Sequence, residues 1–377
     1  MIRKIVFLTG TRADFGKIKS LIQSLVEHAD FEPYLFVTGM HLMHEYGFTV
    51  HEIEKSGFKN IHQFENHTSE ATMDLTLSKT IVGFSEYIKG LNPDLIVVHG
   101  DRVEALAGAI TGSLNNLPVA HIEGGEISGT IDELIRHAVS KLSHLHFVSN
   151  QNAASRLVQM GENPKLISVI GSPDLDIMIS DQLPSIKSAL DRYEIGFTDY
   201  AVVLFHPVTT EVERFEGYVQ EFVTALKNSG DNYLVIYPNN DLGSAAIIKE
   251  YKSLKGHSNF RVLPSVRFEY FLVLLRNAKY IVGNSSAGIR EAPFYGVPTV
   301  NVGSRQQNRS SDKNIINCDY ASVDVLKGIG LAKSLRIESK TNEFGDGDSA
   351  SKFIEFISNF DFENFDAQKQ FLDLERK

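Results

Sequence analysis

The feature that most constrains this chain is an alternation of short, unbroken apolar runs with longer amphipathic stretches. "KIVFLTG", "YLFVTG", "DLIVVHG", "PVAHIEGG", "LHFVS" and "LISVIGS" are rich in Val, Ile and Phe and are bounded by Gly, Pro or Ser. Runs of this kind are apolar on both faces, as strands of a covered parallel sheet must be. The stretches between them are long enough for crossover helices. The pattern loosens around 173–199 and then restarts with "YAVVLFHP", "NYLVIYPN", "NFRVLP", "KYIVGNSS" and "PTVNVGS", ending near residue 335. Two consecutive series predict two doubly wound, Rossmann-like α/β domains with ligands in a cleft between them. The expected bounds are 1–172 for the first domain and 173–358 for the second. The tail over 359–377 is expected to be a helix that packs back on the first domain.

Composition narrows the function classes. Net charge is −10, from 37 Lys and Arg against 47 Asp and Glu, which argues against nucleic acid or an anionic membrane as the main partner. A few arginines converging on one pocket can still bind a small anion. Cys318 is the single cysteine, so no disulfide framework is expected and a reducing compartment fits. "MIRKIVFLTG" reads as a first strand rather than a signal peptide, and no apolar run reaches the length that spans a bilayer. A cytoplasmic protein is expected.

In an open α/β sheet the residues that follow each strand face the ligand crevice. Those positions read "GTRADFGK", "TGMH", "HGDR", "HIEGGE", "HPVTT", "PNNDLGS", "GNSSAGIRE" and "GSRQ". They bring Arg12, Arg102 and Arg305 together with carboxylates and with Gly and Ser turns that open helices, a description of an anion site beside acid/base groups. A P-loop reading of the first segment fails. Five residues separate Gly10 from Gly16 where that motif has four, and Ile18 stands where a magnesium-binding Ser or Thr belongs. No Gly-x-Gly-x-x-Gly follows a strand, so a dinucleotide fold is not supported.

"GNSSAGIREA" offers Ser285 or Ser286 as a cap for a helix beginning at Ala287, whose free N–H groups suit a phosphate. Simple capping explains the serines as well. Glu291 is better suited to ribose hydroxyls than to phosphates. Asp101 and Arg102 admit a capping reading too, with Asp capping the next helix and Arg pairing with it. Against it, Glu123 holds the matching place after the next strand, and Asp132 lies in the first turn of a helix opened by Thr130 and Glu133 as a capping box. That helix is expected to bury Ile131, Leu134, Ile135, Ala138, Val139 and Leu142. Three carboxylates at one end of a sheet exceed what capping requires. His41 and His44 have metal-compatible spacing but imply no third ligand, so no metal is expected.

At these residues the sequence resembles the hydrolysing UDP-N-acetylglucosamine 2-epimerases of sialic acid biosynthesis, over essentially the whole chain and with the motifs in the same order. Non-hydrolysing relatives differ, with Gly-Thr-Arg-Pro-Glu at the first strand and Gly-Asp-Thr where Gly100–Arg102 stands. The resemblance implies a glycosyltransferase-B-like architecture, a UDP-sugar substrate, no cofactor and a homo-oligomer, dimer or tetramer. By resemblance, Arg12, Arg102, His206, Asn239, Ser285, Ser286, Glu291 and Arg305 would hold UDP. Lys17, His41, Arg136, Val266 and Gly283 are expected as further substrate contacts, and Asp101, Glu123 and Asp132 as the chemical groups. The kinase domain of the animal homologues is not expected here. Pro264 and Ser265 stand where their feedback site has basic residues, so that inhibition is not expected either.

This chemistry wants these residues for a physical reason. No carbonyl neighbours the C2–H of the sugar, so the proton becomes acidic only as the C1–O bond to UDP breaks. The leaving diphosphate then needs preorganised positive charge, and the two proton steps need two differently placed carboxylates. Three other readings share the residues. One is the same reaction on UDP-2,4-diacetamido-2,4,6-trideoxyglucose, the legionaminic acid precursor. The others are a glycosyltransferase and a non-catalytic nucleotide-sugar sensor.

Overall fold

The computed structural model describes residues 2–67, 72–128, 130–307, 309–310, 312–335 and 343–373. The chain divides into two units. Unit 1 comprises Met1–Glu126, Asp132–Ser180 and Glu343–Lys377, and unit 2 comprises Ile127–Ile131 and Asp181–Asn342.

Unit 1 carries β1 (Arg3–Thr9), β2 (Phe31–Val37), β3 (Ile61–Gln63), β4 (Leu95–His99), β5 (Val119–Ile122), β6 (Leu145–Val148) and β7 (Ile167–Val169). Their order in the sheet is β3-β2-β1-β4-β5-β6-β7, with every neighbouring pair parallel. Its helices are α1 (Arg12–Val26), α2 (Val50–Glu54), α3 (Met73–Leu91), α4 (Val103–Leu114), α5 (Ile131–Leu142), α6 (Gln151–Gln159) and α7 (Asp174–Met178). Strand order reverses between β1 and β4, so the crevice of this doubly wound sheet opens where those two strands end.

Unit 2 repeats the architecture. It holds α8 (Ile186–Arg192), β8 (Ala201–Leu204), α9 (Val212–Ser229), β9 (Tyr233–Ile236), α10 (Ser244–Lys252), β10 (Phe260–Leu263) and α11 (Phe268–Arg276). It continues with β11 (Ile281–Gly283), α12 (Glu291–Tyr295), β12 (Thr299–Val302), β13 (Ile315–Cys318) and α13 (Ser322–Ser334). The sheet order is β10-β9-β8-β11-β12-β13, all parallel, with its switch point between β8 and β11.

The chain then returns to unit 1 as α14 (Ser349–Ser358). Phe353 and Ile357 of α14 join the core of Ile5, Phe7, Ile18, Leu21, Leu35 and Phe147, and the Phe353 ring packs edge-on to Phe147 at 4.8 Å. The Asp176 carboxylate accepts from the backbone N–H groups of Ser349 and Ala350 at the start of α14. The division therefore falls at Ser180–Asp181 rather than 172–173, because α7 holds the returning helix. Of the helix expected over 359–377, residues 359–373 form none and 374–377 lie outside the described residues; the C-terminal helix of the described chain is α14, Ser349–Ser358. That strap is still anchored on unit 1. Lys369 donates to the carbonyls of Ser140, Lys141 and Ser143 near the end of α5. It also pairs with the buried Glu162.

Candidate functional site

In unit 1 the loop after β1 is drawn tight by Asp14. Its carboxylate accepts from the Thr9 hydroxyl and from the N–H groups of Gly10 and Thr11, while Thr11 caps α1 in return. Burial raises the pKa of Asp14. Arg12 is thereby fixed as the first residue of α1. A cation gains nothing from a helix N-terminus, so this placement is not explained by helix stability. His41, fully buried, has Nε2 3.1 Å from the Thr9 hydroxyl and Nδ1 2.8 Å from that of Thr49. Burial, with Arg12 nearby, pulls its pKa down to about 3, so it is neutral. Both nitrogens are engaged within the fold, a support for the strand ends.

After β4, Asp101 pairs with Arg136, whose side chain is 4% exposed. Arg102 is the N-cap residue of α4, without a side-chain capping bond, and its Nε lies 3.3 Å from Glu104 Oε2. The capping reading of Asp101 is thus replaced: Arg102 holds the cap position, and the carboxylate faces a cation from α5. Asp132 is half-buried and stands four residues before Arg136, hence on the same face of α5. Leu134, expected on the inner stripe of that helix, is 67% exposed, whereas Ile135 and Val139 are buried as expected. The interior there is narrowed by Arg136 and Ser140, which are buried beside them.

Glu123 follows β5 in the left-handed region, φ +64°, a conformation that costs a non-glycine residue energy and persists only where the surroundings impose it. Its buried carboxylate accepts from the Ser172 hydroxyl, lies 3.1 Å from His99 Nε2 and 3.6 Å from Lys17 Nζ. Lys17 is equally 3.6 Å from Asp174. Lys17 and Arg136, expected as substrate contacts, each turn toward a carboxylate. Beneath this group His121 is fully buried, with Nε2 2.8 Å from the Gly100 carbonyl and Nδ1 3.0 Å from the Ser140 hydroxyl. A carbonyl only accepts, so the ring proton sits on Nε2 and Nδ1 accepts. Burial lowers its pKa to about 3.

In unit 2 the hub is Asn284. Its amide donates to the His206 carbonyl and accepts from the His206 N–H. Its carbonyl accepts from Arg305 Nη1 at 3.2 Å and from the Gln306 amide at 3.1 Å. One buried residue thus ties the ends of β8, β11 and β12 together. His206 Nδ1 accepts the Asn239 N–H at 3.0 Å, so its proton is carried on Nε2. Gly283 at φ +141° could not be another residue, since a Cβ would stand 1.9 Å from the Leu204 carbonyl oxygen. Ser285 caps the Ala287 N–H. The helix expected to begin at Ala287 is a single 3-10 turn, Ser286–Gly288, followed by the five-residue α12. Its dipole is correspondingly short. Glu291 is buried at the start of α12, and Val266 is buried after β10.

The sequence reading passed over His99, Glu104, Ser172, Asp174 and Asn284. His99 and Asn284 stand inside strand-end motifs already singled out. Ser172 and Asp174 follow β7 in "GSPD", a strand end that the same rule would have included. Glu104 gave no signal, because an acid in a helix first turn is commonplace. Among the described residues, no three His, Cys, Asp or Glu side chains form a metal-ligand group, and no helix is long and apolar enough to cross a membrane.

The family description UDP-N-acetylglucosamine 2-epimerase matches residues 23–358. The chain belongs to that family. It is 47% identical over 377 residues to the UDP-N-acetylglucosamine 2-epimerase of Neisseria meningitidis serogroup B, covering 99% of this chain and 100% of that protein. It is 34% identical over 363 residues to a Legionella pneumophila UDP-N,N'-diacetylbacillosamine 2-epimerase (hydrolyzing), covering 95% and 96%. Among solved structures, UDP-GlcNAc 2-epimerase from Neisseria meningitidis bound to UDP-GlcNAc matches with a TM-score of 0.80 at 16% identity, over 95% of this chain and 100% of that one. At that identity the likeness speaks for the fold: the two Rossmann-type units are those expected from the strand pattern, and the glycosyltransferase-B-like architecture is the one that the family resemblance implied. Family membership gives the strand-end residues of this 2-epimerase scaffold their context.

Proposed function

We propose that the chain is a hydrolysing 2-epimerase that converts UDP-N-acetylglucosamine to UDP and N-acetylmannosamine, in sialic acid biosynthesis. The observation that carries this reading is the pair of carboxylates at the ends of the adjacent strands β4 and β5. Asp101 is held by Arg136, and Glu123 by Lys17 and Ser172. Two acids at neighbouring strand ends, each with its own cation, suit a reaction with two proton steps at different positions. The name and 47% identity of the Neisseria relative support the substrate.

In this reading Arg305, Ser285, Ser286, Asn239 and the Nε2–H of His206 bind the nucleotide, with Glu291 on ribose hydroxyls and Gly283 and Val266 lining their surroundings. Arg12 and Arg102 oppose the diphosphate charge. As the C1–O bond breaks, UDP departs with the bonding pair and one carboxylate takes the C2 proton, leaving a glycal. Water then adds at C1 while a second acid returns a proton to C2 on the opposite face. Asp101 and Glu123 are the two groups, and Asp132 acts beside Asp101. Each positioned acid or base contributes about 10²–10⁴-fold, and stabilising the charge on the leaving diphosphate contributes more.

A second reading keeps the mechanism and changes the sugar to UDP-2,4-diacetamido-2,4,6-trideoxyglucose, which is UDP-N,N'-diacetylbacillosamine. The Legionella relative at 34% identity favours it less than the Neisseria relative favours the first. The test is NMR of both UDP-sugars incubated with the protein in deuterated water, without added nicotinamide or metal. The expected products from UDP-N-acetylglucosamine are free UDP and N-acetylmannosamine carrying deuterium at C2. Retained hydrogen at C2 would refute the elimination, and turnover of the diacetamido sugar alone would select the second reading.

A further inference from the structure

Three strand ends of unit 1 meet at a buried carboxylate for which the proposed reaction has no use. Glu104, second residue of α4, is 1% exposed. Among the described residues its Oε1 has no hydrogen-bond partner, and its Oε2 lies 3.3 Å from Arg102 Nε. The loops after β1 and β2 are both glycine where this side chain runs. A Cβ on Gly10 would stand 2.8 Å from Glu104 Cγ and Cδ, and one on Gly39 would stand 2.8 Å from Oε1. Burying a carboxylate is costly, and a place in a helix first turn offsets only part of that. A small apolar residue would fill this space more stably. The charge has to be explained by Arg102.

We infer that Glu104 is a positioning residue for Arg102: its buried carboxylate grips the guanidinium at Nε and fixes the direction in which Arg102 meets the leaving diphosphate. The inference rests on the reading that Arg102 opposes that diphosphate. A long arginine side chain is mobile, and its plane is set only when one edge is held. A preorganised cation stabilises developing charge better than one that must be ordered during the reaction. Gly10 and Gly39 are then part of the same device, because they make room for the carboxylate. An electrostatic role gives the opposite sign. Removing a nearby negative charge would leave the site more positive and tighten UDP, whereas loss of a grip weakens it.

The test uses the full chain with Glu104→Gln, Arg102→Ala, the double variant and Gly10→Ala. Gly39→Ala is avoided, because Gly39 has φ +61° and a Cβ there would stand 2.6 Å from the Gly10 carbonyl. The first readout is the Arg102 Nε–H signal in ¹⁵N NMR, identified by its loss in Arg102→Ala. It should be protected from exchange in the wild type and lose protection in Glu104→Gln. The second is kcat/KM with UDP affinity, which should fall roughly tenfold or more in Glu104→Gln and in Gly10→Ala, and should not fall further when Glu104→Gln is added to Arg102→Ala. Persistent Nε–H protection in Glu104→Gln, an equal fall in the Arg102→Ala background, or unchanged or tighter UDP binding would each overturn the inference. A wild type that binds no UDP would instead remove the proposed function, and the Nε–H signal would then decide the anchor by itself.

Discussion

Replacing His121 by Gln should make the protein less sensitive to acid, by an amount the structure sets. The ring is fully buried, donates from Nε2 to the Gly100 carbonyl and accepts at Nδ1 from Ser140, so the neutral form is satisfied on both sides. Burial holds its folded-state pKa near 3, against 6.5 for the free side chain. In the folded protein it stays neutral as pH falls, while in the unfolded chain it takes up a proton. The stability associated with the neutral ring is therefore fully present above the unfolded pKa of 6.5 and is lost progressively as pH falls toward 3. Between about pH 7.5 and about pH 5 that loss is roughly 2 kcal/mol for one such histidine. His41, also lowered to about 3 by burial and then by Arg12, contributes a similar loss. Asp14 works against both, since burial raises its pKa and protonation of the folded form then stabilises it as pH falls. Urea unfolding of wild type and His121→Gln at the two pH values measures the difference. Unit 2 is common to both proteins, so its contribution cancels. Whatever the variant's stability at the higher pH, its loss on acidification should be smaller by about 2 kcal/mol. An identical loss in both proteins would mean that His121 is protonated in the fold and would refute the burial argument.

Asp101→Asn should retain the fold and UDP binding yet lose at least about 10²-fold in turnover; near wild-type turnover would make its pairing with Arg136 purely structural. Glu123→Gln should be similarly slow, and offering each variant the isolated glycal distinguishes the elimination step from the hydration step. Ser286→Ala and Arg305→Ala should each weaken UDP by about 1.5–3 kcal/mol in calorimetry, the range for a hydrogen bond to a charged group; unchanged affinity in both would move the nucleotide elsewhere. Gly283→Ala should destabilise unit 2 by more than about 3 kcal/mol, because the new Cβ meets the Leu204 carbonyl at 1.9 Å in a backbone region open to glycine. Thermal unfolding close to wild type would contradict that geometry.

Eleven of the described strands could be read as apolar runs: nine are inner strands of the two sheets, and the edge strands β7 and β10 still lie in apolar segments. The two that could not, β3 and β13, are edge strands whose short runs, IHQ and IINC, mix apolar with polar residues, which breaks the apolar signal. The site was legible to the same depth. Arg12, Arg102, Asp101, Glu123, Ser285 and Arg305 all follow strands, and the position after a strand is a property of the local sequence. Asn284 and His99 stood in the same motifs, but a bare motif does not say which member braces the others. The helix expected at Ala287 illustrates the limit, since caps mark where a helix can start but not whether packing lets it continue past Gly288.

The sequence by itself determined the two series of parallel strands and the residues at their ends, because periodicity and turn chemistry act over a few neighbours. Only the tertiary structure decided which polar groups pair. Asp101 takes Arg136 from a helix 35 positions along the chain, and Glu123 takes Ser172, 49 positions along. The returning α14 belongs to unit 1, because Phe353 and Ile357 bury against its core and Asp176 caps its first turn. Glu104 could be recognised as an anchor only once Gly10, Gly39 and Arg102 were seen around it. Burial and pairing energies depend on distances between parts of the chain that local sequence leaves unspecified.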